Sequence, residues 1–146
     1  MSTSLLQTET VATSKLLPAA AVGAGIAAVG NLMVFWVLPS LLGVSPIQVQ
    51  MGPPGPDAAL ADLNAVMVIV ASVLPAFIAA GVLALLGRFT ARPFTVFRVI
   101  GVVVLLMSFA PFTLMPMPTG TIITLAVMHI IAAVAIVGAL DRRARA

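Results

Sequence analysis

The chain has 146 residues, 62% of them hydrophobic and 8% charged, with a mean hydropathy of +1.23. Soluble domains average about 45–50% apolar and about 25% charged residues, so seven bases and four acids cannot cover a water-facing surface, and a soluble globule is excluded. The net charge of +3 does not point to nucleic acid, because the bases flank apolar runs without a basic helix face or interleaved aromatics.

Residues 1–14 are rich in Ser and Thr and lack apolar periodicity, which predicts a mobile cytoplasmic tail. The first apolar run, about 16–38, exceeds the roughly 20 residues that a hydrocarbon core about 30 Å thick requires. It ends in bulky Phe35-Trp36, unlike the shorter apolar region and small-residue cleavage site of a secretory signal, so it reads as a retained span with Trp36 at the interface. Pro39 is expected where the chain leaves this helix. The rows Ala19-Gly23-Ala27, Ala20-Ala24-Ala28 and Ala21-Gly25 offer close backbone approach inside a bundle.

Residues 39–62 form an outer loop, stiff and non-helical at Pro53-Pro54-Gly55-Pro56. The second span, about 63–86, carries the row Ala71-Pro75-Ala79, and Pro75 should bend it by removing a helical hydrogen bond. The third, about 95–114, has Pro93 suited to its first turn, a second expected bend at Pro111, and Pro116 and Pro118 as its stop. The fourth, about 121–140, is ended by Asp141 and a basic tail over 141–146.

With four spans, Lys15, the group Arg88, Arg92 and Arg98, and the group Arg142, Arg143 and Arg145 all fall on one face. The positive-inside rule makes that face cytoplasmic, which places both termini in the cytoplasm and the protein in the inner membrane. Arg98, about one turn inside span three, is expected to snorkel to the headgroups. The fold class is therefore all-α, a four-transmembrane-helix bundle.

Each span carries one polar group in its outer half. Counted at about 1.5 Å per residue, Asn31, Ser72, Ser108 and His129 lie about 9–12 Å from the outer ends of their helices. A buried unpaired polar group is costly in hydrocarbon, so these four are expected to turn inward and meet, Asn31 with His129 most directly. Three roles compete for the layer. It is first a hydrogen-bonded plug that fixes helix register. It is second a small-molecule or proton site, since histidine changes charge near neutral pH. It is third an axial haem or chlorin ligand through His129. No carboxylate shares the depth of Ser72, Ser108 and His129 to complete a triad, and one His without Cys cannot close a metal site, so neither catalysis nor a metal is expected.

The segments GNLMVFW (Gly30 to Trp36) and LAVMHIIAAVAIVGAL (Leu125 to Leu140), with the Arg-bearing turn between spans two and three, resemble a family of small, uncharacterised four-helix bacterial membrane proteins, a domain of unknown function. The resemblance covers roughly Leu16 to Leu140 and places Asn31, Met128 and His129 at the family's recurrent positions. It implies a bacterial four-span fold and no activity. The long Pro-rich outer loop departs from it. The sequence thus leads to a structural or accessory membrane protein, in contact with the bilayer and with copies of itself or a larger membrane complex. A carrier or sensor using Asn31 and His129 is the alternative.

Overall fold

A computed structural model describes residues 9–51, 59–114 and 117–146. In chain order it contains α1 (Thr13–Leu41), β1 (Gln48–Met51), β2 (Ala59–Asp62), α2 (Ala65–Phe89), α3 (Pro93–Ser108), α4 (Ala110–Leu114) and α5 (Thr119–Arg143). Four helices are long and apolar enough to cross a membrane: α1, α2, the run Pro93–Phe112 that combines α3 with part of α4, and α5.

Most helix ends lie a few residues outside the apolar windows, because backbone hydrogen bonding continues where hydropathy stops. Helix α1 runs past Pro39 to Leu41, and Gly43 then adopts φ 68 while Val44 N–H donates to Pro39 O at 3.0 Å. A left-handed residue just after the helix lets the chain satisfy these last carbonyls, and only glycine takes that conformation without a Cβ penalty. Asn64 caps α2, its side chain accepting from Met67 N–H at 3.0 Å. Pro93 occupies the first turn of α3. Helix α2 is continuous through Pro75, whereas the third span is interrupted at Phe109. Pro111 has no N–H to offer Met107 O, so α3 stops and Pro111 falls instead in the first turn of α4, where that N–H is not needed.

The loop between α1 and α2 is not wholly irregular. Strands β1 and β2 pair antiparallel, from Gln48 opposite Asp62 to Met51 opposite Ala59, so the chain is mainly rather than entirely α. The segment Pro53-Pro54-Gly55-Pro56 lies outside the described residues.

Helix α1 is the centre of the bundle, packed on α5 and α2. Leu16, Ala19, Ala20, Ala24 and Ala27 of α1 join Ala76, Ala80 and Leu83 of α2, Phe94 and Phe97 of α3, and Ile136 and Leu140 of α5 in the main apolar core. A Cβ on Gly23 would stand 3.1 Å from Ile136 Cα and 3.3 Å from Ala135 O, so the two backbones meet there. Small residues allow this approach, and dispersion between well-fitted helices is what holds them when the surroundings are equally apolar. The three small-residue rows are not equivalent: Ala19, Gly23, Ala27, Ala20 and Ala24 are buried, while Ala21 and Gly25 face outward.

Helix α3 is held differently. Its buried residues are Pro93, Phe94 and Phe97, all within its first five positions. That end is pinned by charge. Glu9 Oε2 accepts from the N–H groups of Phe94 at 2.9 Å and Thr95 at 3.3 Å, as a carboxylate does at a helix N-terminus. Arg98 makes a two-pronged contact with Asp141, Nε–Oδ1 at 3.2 Å and Nη2–Oδ2 at 2.8 Å. Arg145 bonds Asp141 Oδ1 at 2.8 Å, reaches Glu9 at 3.7 Å, and lies 4.2 Å from the centre of the Phe94 ring. Snorkelling alone therefore does not describe Arg98, whose guanidinium is paired across to α5.

The N-terminal segment is drawn into the same cluster rather than left free from residue 9 onward. Val11 pairs with Arg145, Ala12 N–H donates to Ala144 O at 2.8 Å, and Glu9 N–H donates to Ala91 O at 3.1 Å. The start of α1, the α2–α3 turn and the end of α5 share one end of the bundle, and the β-hairpin occupies the other.

Candidate functional site

The four polar residues expected to form one layer fall into two groups. Asn31 is 5% exposed and its Nδ2 donates to Ser72 Oγ at 3.0 Å, while Ser72 donates to Val68 O of its own helix at 2.7 Å. Asn31 Oδ1 is buried without a hydrogen-bond partner among the described residues. The direct Asn31–His129 contact is not formed. Each residue turns through about 100° on an α-helix, so neighbours face different partners. Met128 is the inward residue at this level of α5, packed with Leu125 and Val68, and His129 faces α3 instead.

His129 and Ser108 line a cleft of about 450 Å³ bounded by α2, α3 and α5. Ala132, Ala133, Ile136 and Val137 of α5 form one wall, with Ala71, Pro75 and Ala79 of α2 and Gly101, Val104 and Leu105 of α3 among the others. The cleft exists because α3 is pinned near Phe94 and Phe97 and buries none of its described residues beyond them. Ala71, Pro75 and Val104 are exposed at its rim, so it opens between α2 and α3 toward the hydrocarbon. Pro75 is a rim residue here as well as a break in the α2 hydrogen-bond ladder.

The two polar side chains of the cleft are each bonded to their own helix. His129 Nδ1 lies 2.7 Å from Leu125 O, and Ser108 Oγ donates to Leu105 O at 2.6 Å. A carbonyl can only accept, so Nδ1 carries a proton, and in the neutral form of the ring Nε2 is then the acceptor. The ring is braced edge-on by Phe109 and Phe112, with centroid separations of 6.3 and 5.6 Å. These aromatics come from the interruption around Pro111, which turns the end of the third span back over His129. Ser108 gives its proton to a carbonyl rather than to the imidazole, so the pair is not arranged as a nucleophile with its base. Nε2 beside an apolar slot could accept a hydrogen bond or ligate a metal-centred macrocycle.

The bases read as topology markers, Lys15, Arg88, Arg92, Arg98, Arg142, Arg143 and Arg145, all belong to the end that carries the termini. Glu9, Phe94 and Asp141 escape sequence reading as their partners. The one legible hint is Asp141 with Arg145 at an i,i+4 spacing; Arg98 lies 43 residues from Asp141, and the contact of Arg145 with Glu9 spans most of the chain.

The sequence model of a family of unknown function, DUF6069, matches residues 11–146. No curated protein and no solved structure matches the chain.

Proposed function

The chain belongs to DUF6069, a family of unknown function, and from that premise we propose that it is a non-catalytic multi-pass membrane protein that receives a lipid-soluble small molecule between α2, α3 and α5. The observation that carries this reading is the cleft of about 450 Å³, open toward hydrocarbon, with His129 as its one ionisable lining residue. Ligand sites are typically apolar concavities with a few placed polar groups, and this one fits that description. An accessory bundle would need only its packed faces; the cleft is a feature such a role does not require. Asn31 is not part of the site on this reading, and its bond to Ser72 serves helix register.

The charge distribution supports one orientation. Seven bases at the terminal end, against Asp62 at the hairpin end, favour a cytoplasmic location for both termini in a bacterial inner membrane. The chain has no native cysteine, so Ser45→Cys and Ala146→Cys give single labelling sites, expected to react from opposite sides of the membrane. Labelling of both from one side would refute the arrangement.

The test of function is purification in mild detergent, followed by extraction and mass spectrometry of co-purifying compounds, comparing wild type with Ala71→Leu and Ala133→Leu, which fill the cleft. A lipophilic compound carried by wild type and lost from both folded variants is the expected result. Identical extracts would refute it. A second reading is favoured by the His129 Nδ1–carbonyl bond, since ligating histidines commonly donate their other N–H to a backbone carbonyl. An absorbance band of haem or chlorin type, lost in His129→Ala, would establish that alternative.

A further inference from the structure

We propose that the molecule bound in this cleft is a neutral lipid-soluble alcohol or phenol, held by donation of its hydroxyl proton to His129 Nε2; this inference rests on the cleft being a ligand site. The argument is one of hydrogen-bond accounting. The imidazole has one N–H in its neutral form, and Leu125 O takes it at 2.7 Å. The Ser108 hydroxyl has one proton, and Leu105 O takes it at 2.6 Å. Both polar side chains that line the cleft have therefore spent these donors on their own helices and retain acceptor atoms.

That arrangement discriminates among ligands. An ether or ketone would set lone pairs against lone pairs and leave Nε2 unsatisfied in a medium without water. A carboxylate would bring negative charge with no cation beside it, because Arg98 and Arg145 are engaged with Asp141 at the terminal end. An ammonium group would donate, but no carboxylate is among the lining residues to balance it. A neutral hydroxyl gives its one proton to Nε2 without burying charge.

The remainder of the ligand is set by the walls. From His129 to Val137 the α5 wall rises about 12 Å at 1.5 Å per residue, and beyond His129 and Ser108 it and its neighbours present carbon. The hydroxyl thus lies toward the hairpin end beneath Phe109 and Phe112, and an unbranched or isoprenoid-like chain runs toward Phe97 and Val82. Ala71, Ala79, Gly101, Ala132 and Ala133 keep the slot wide enough for it.

The experiment uses the full chain in phosphatidylcholine nanodiscs and a decan-1-ol photoprobe with a mid-chain diazirine, competed with 1-decanol or with its methyl ether, 1-methoxydecane. Crosslinks are expected on the α3 and α5 peptides that contain Val104 and Ala133. 1-Decanol should compete about tenfold better than the ether, the discrimination expected when a buried acceptor is left unpaired. His129→Phe, which keeps a ring in place, should abolish that preference without preventing labelling; Ser108→Ala should retain it, because the ligand's one hydroxyl proton goes to Nε2. Equal competition by alcohol and ether in wild type would overturn the hydroxyl assignment while leaving the cleft as an apolar site. Labelling that is absent from these peptides would overturn the site itself. A preference retained in His129→Phe, or lost in Ser108→Ala, would overturn the assignment of the hydroxyl proton to Nε2.

Discussion

Replacing Ser72 with alanine deletes the hydroxyl that accepts from Asn31 Nδ2, while Asn31 remains 5% exposed and its Oδ1 already lacks a partner among the described residues. The amide would then be buried with no inter-helix hydrogen bond. Leaving a buried polar group unpaired costs about 1–3 kcal/mol in general, while hydrogen bonds between membrane helices average about 0.6 and reach about 1.7 kcal/mol. Because both amide ends would be orphaned, the expected loss for Ser72→Ala is near the top of the membrane range, about 1–1.7 kcal/mol. Asn31→Leu keeps the same branched side-chain skeleton and removes the orphan groups along with the bond, so it should lie within about 0.5 kcal/mol of wild type. In the Asn31→Leu background, Ser72→Ala should then be nearly silent, and the coupling between the two sites should account for most of the Ser72→Ala loss. Reversible unfolding by SDS in mixed micelles, followed by circular dichroism, measures all four proteins. A silent Ser72→Ala beside a costly Asn31→Leu would refute the reasoning, since it would mean that Oδ1 is satisfied and that the amide stabilises the bundle by another contact.

The α1–α5 contact predicts a contrast between Gly23 and Gly25, which lie about 200° apart around α1. Gly23→Ala would press a methyl group against Ile136 Cα and Ala135 O, backbone atoms that cannot swing aside, and should cost about 1–3 kcal/mol. Gly25→Ala meets nothing within 4 Å and should be neutral or stabilise by up to about 1 kcal/mol through helix propensity. The same unfolding assay compares them, and equal losses would contradict the packing. At the terminal end, Asp141→Asn weakens the attachment of both Arg98 and Arg145, so amide hydrogen exchange should quicken at Ala12, Phe94 and Ala146, with Ala76 and Ala80 unchanged. Raising the salt concentration should move the same amides in the same direction, because these contacts are partly exposed and screened. Unaltered exchange at all three would remove Asp141 as the group that holds α3 and the N-terminal segment together.

The number of spans, their order and the gathering of basic residues at one end were legible because they depend on quantities that add along the chain: apolar length against the thickness of hydrocarbon, and charge counted on either side of each run. The level shared by Asn31 and Ser72 was legible for the same reason, since depth is a count of residues at a constant rise, and the two do meet. The partners within that level were not. In a water-soluble helix the apolar stripe reveals which side faces inward, but in lipid both sides are apolar, and rotation about the helix axis leaves little trace in hydropathy. Ala20-Ala24 and Ala21-Gly25 read alike, yet one is buried and the other faces outward. Met128 and His129 are adjacent, yet one packs into the core while the other lines the cleft beside α3. Glu9, Arg98, Asp141 and Arg145 meet only because three helix ends converge. What the sequence determined by itself is a four-span membrane chain with its polar groups at defined depths. The tertiary structure decided which way each helix turns, and with it the separation of Asn31 from His129 and the opening of the cleft, because in hydrocarbon those rotations are set by close packing of small residues and by ion pairs at the ends.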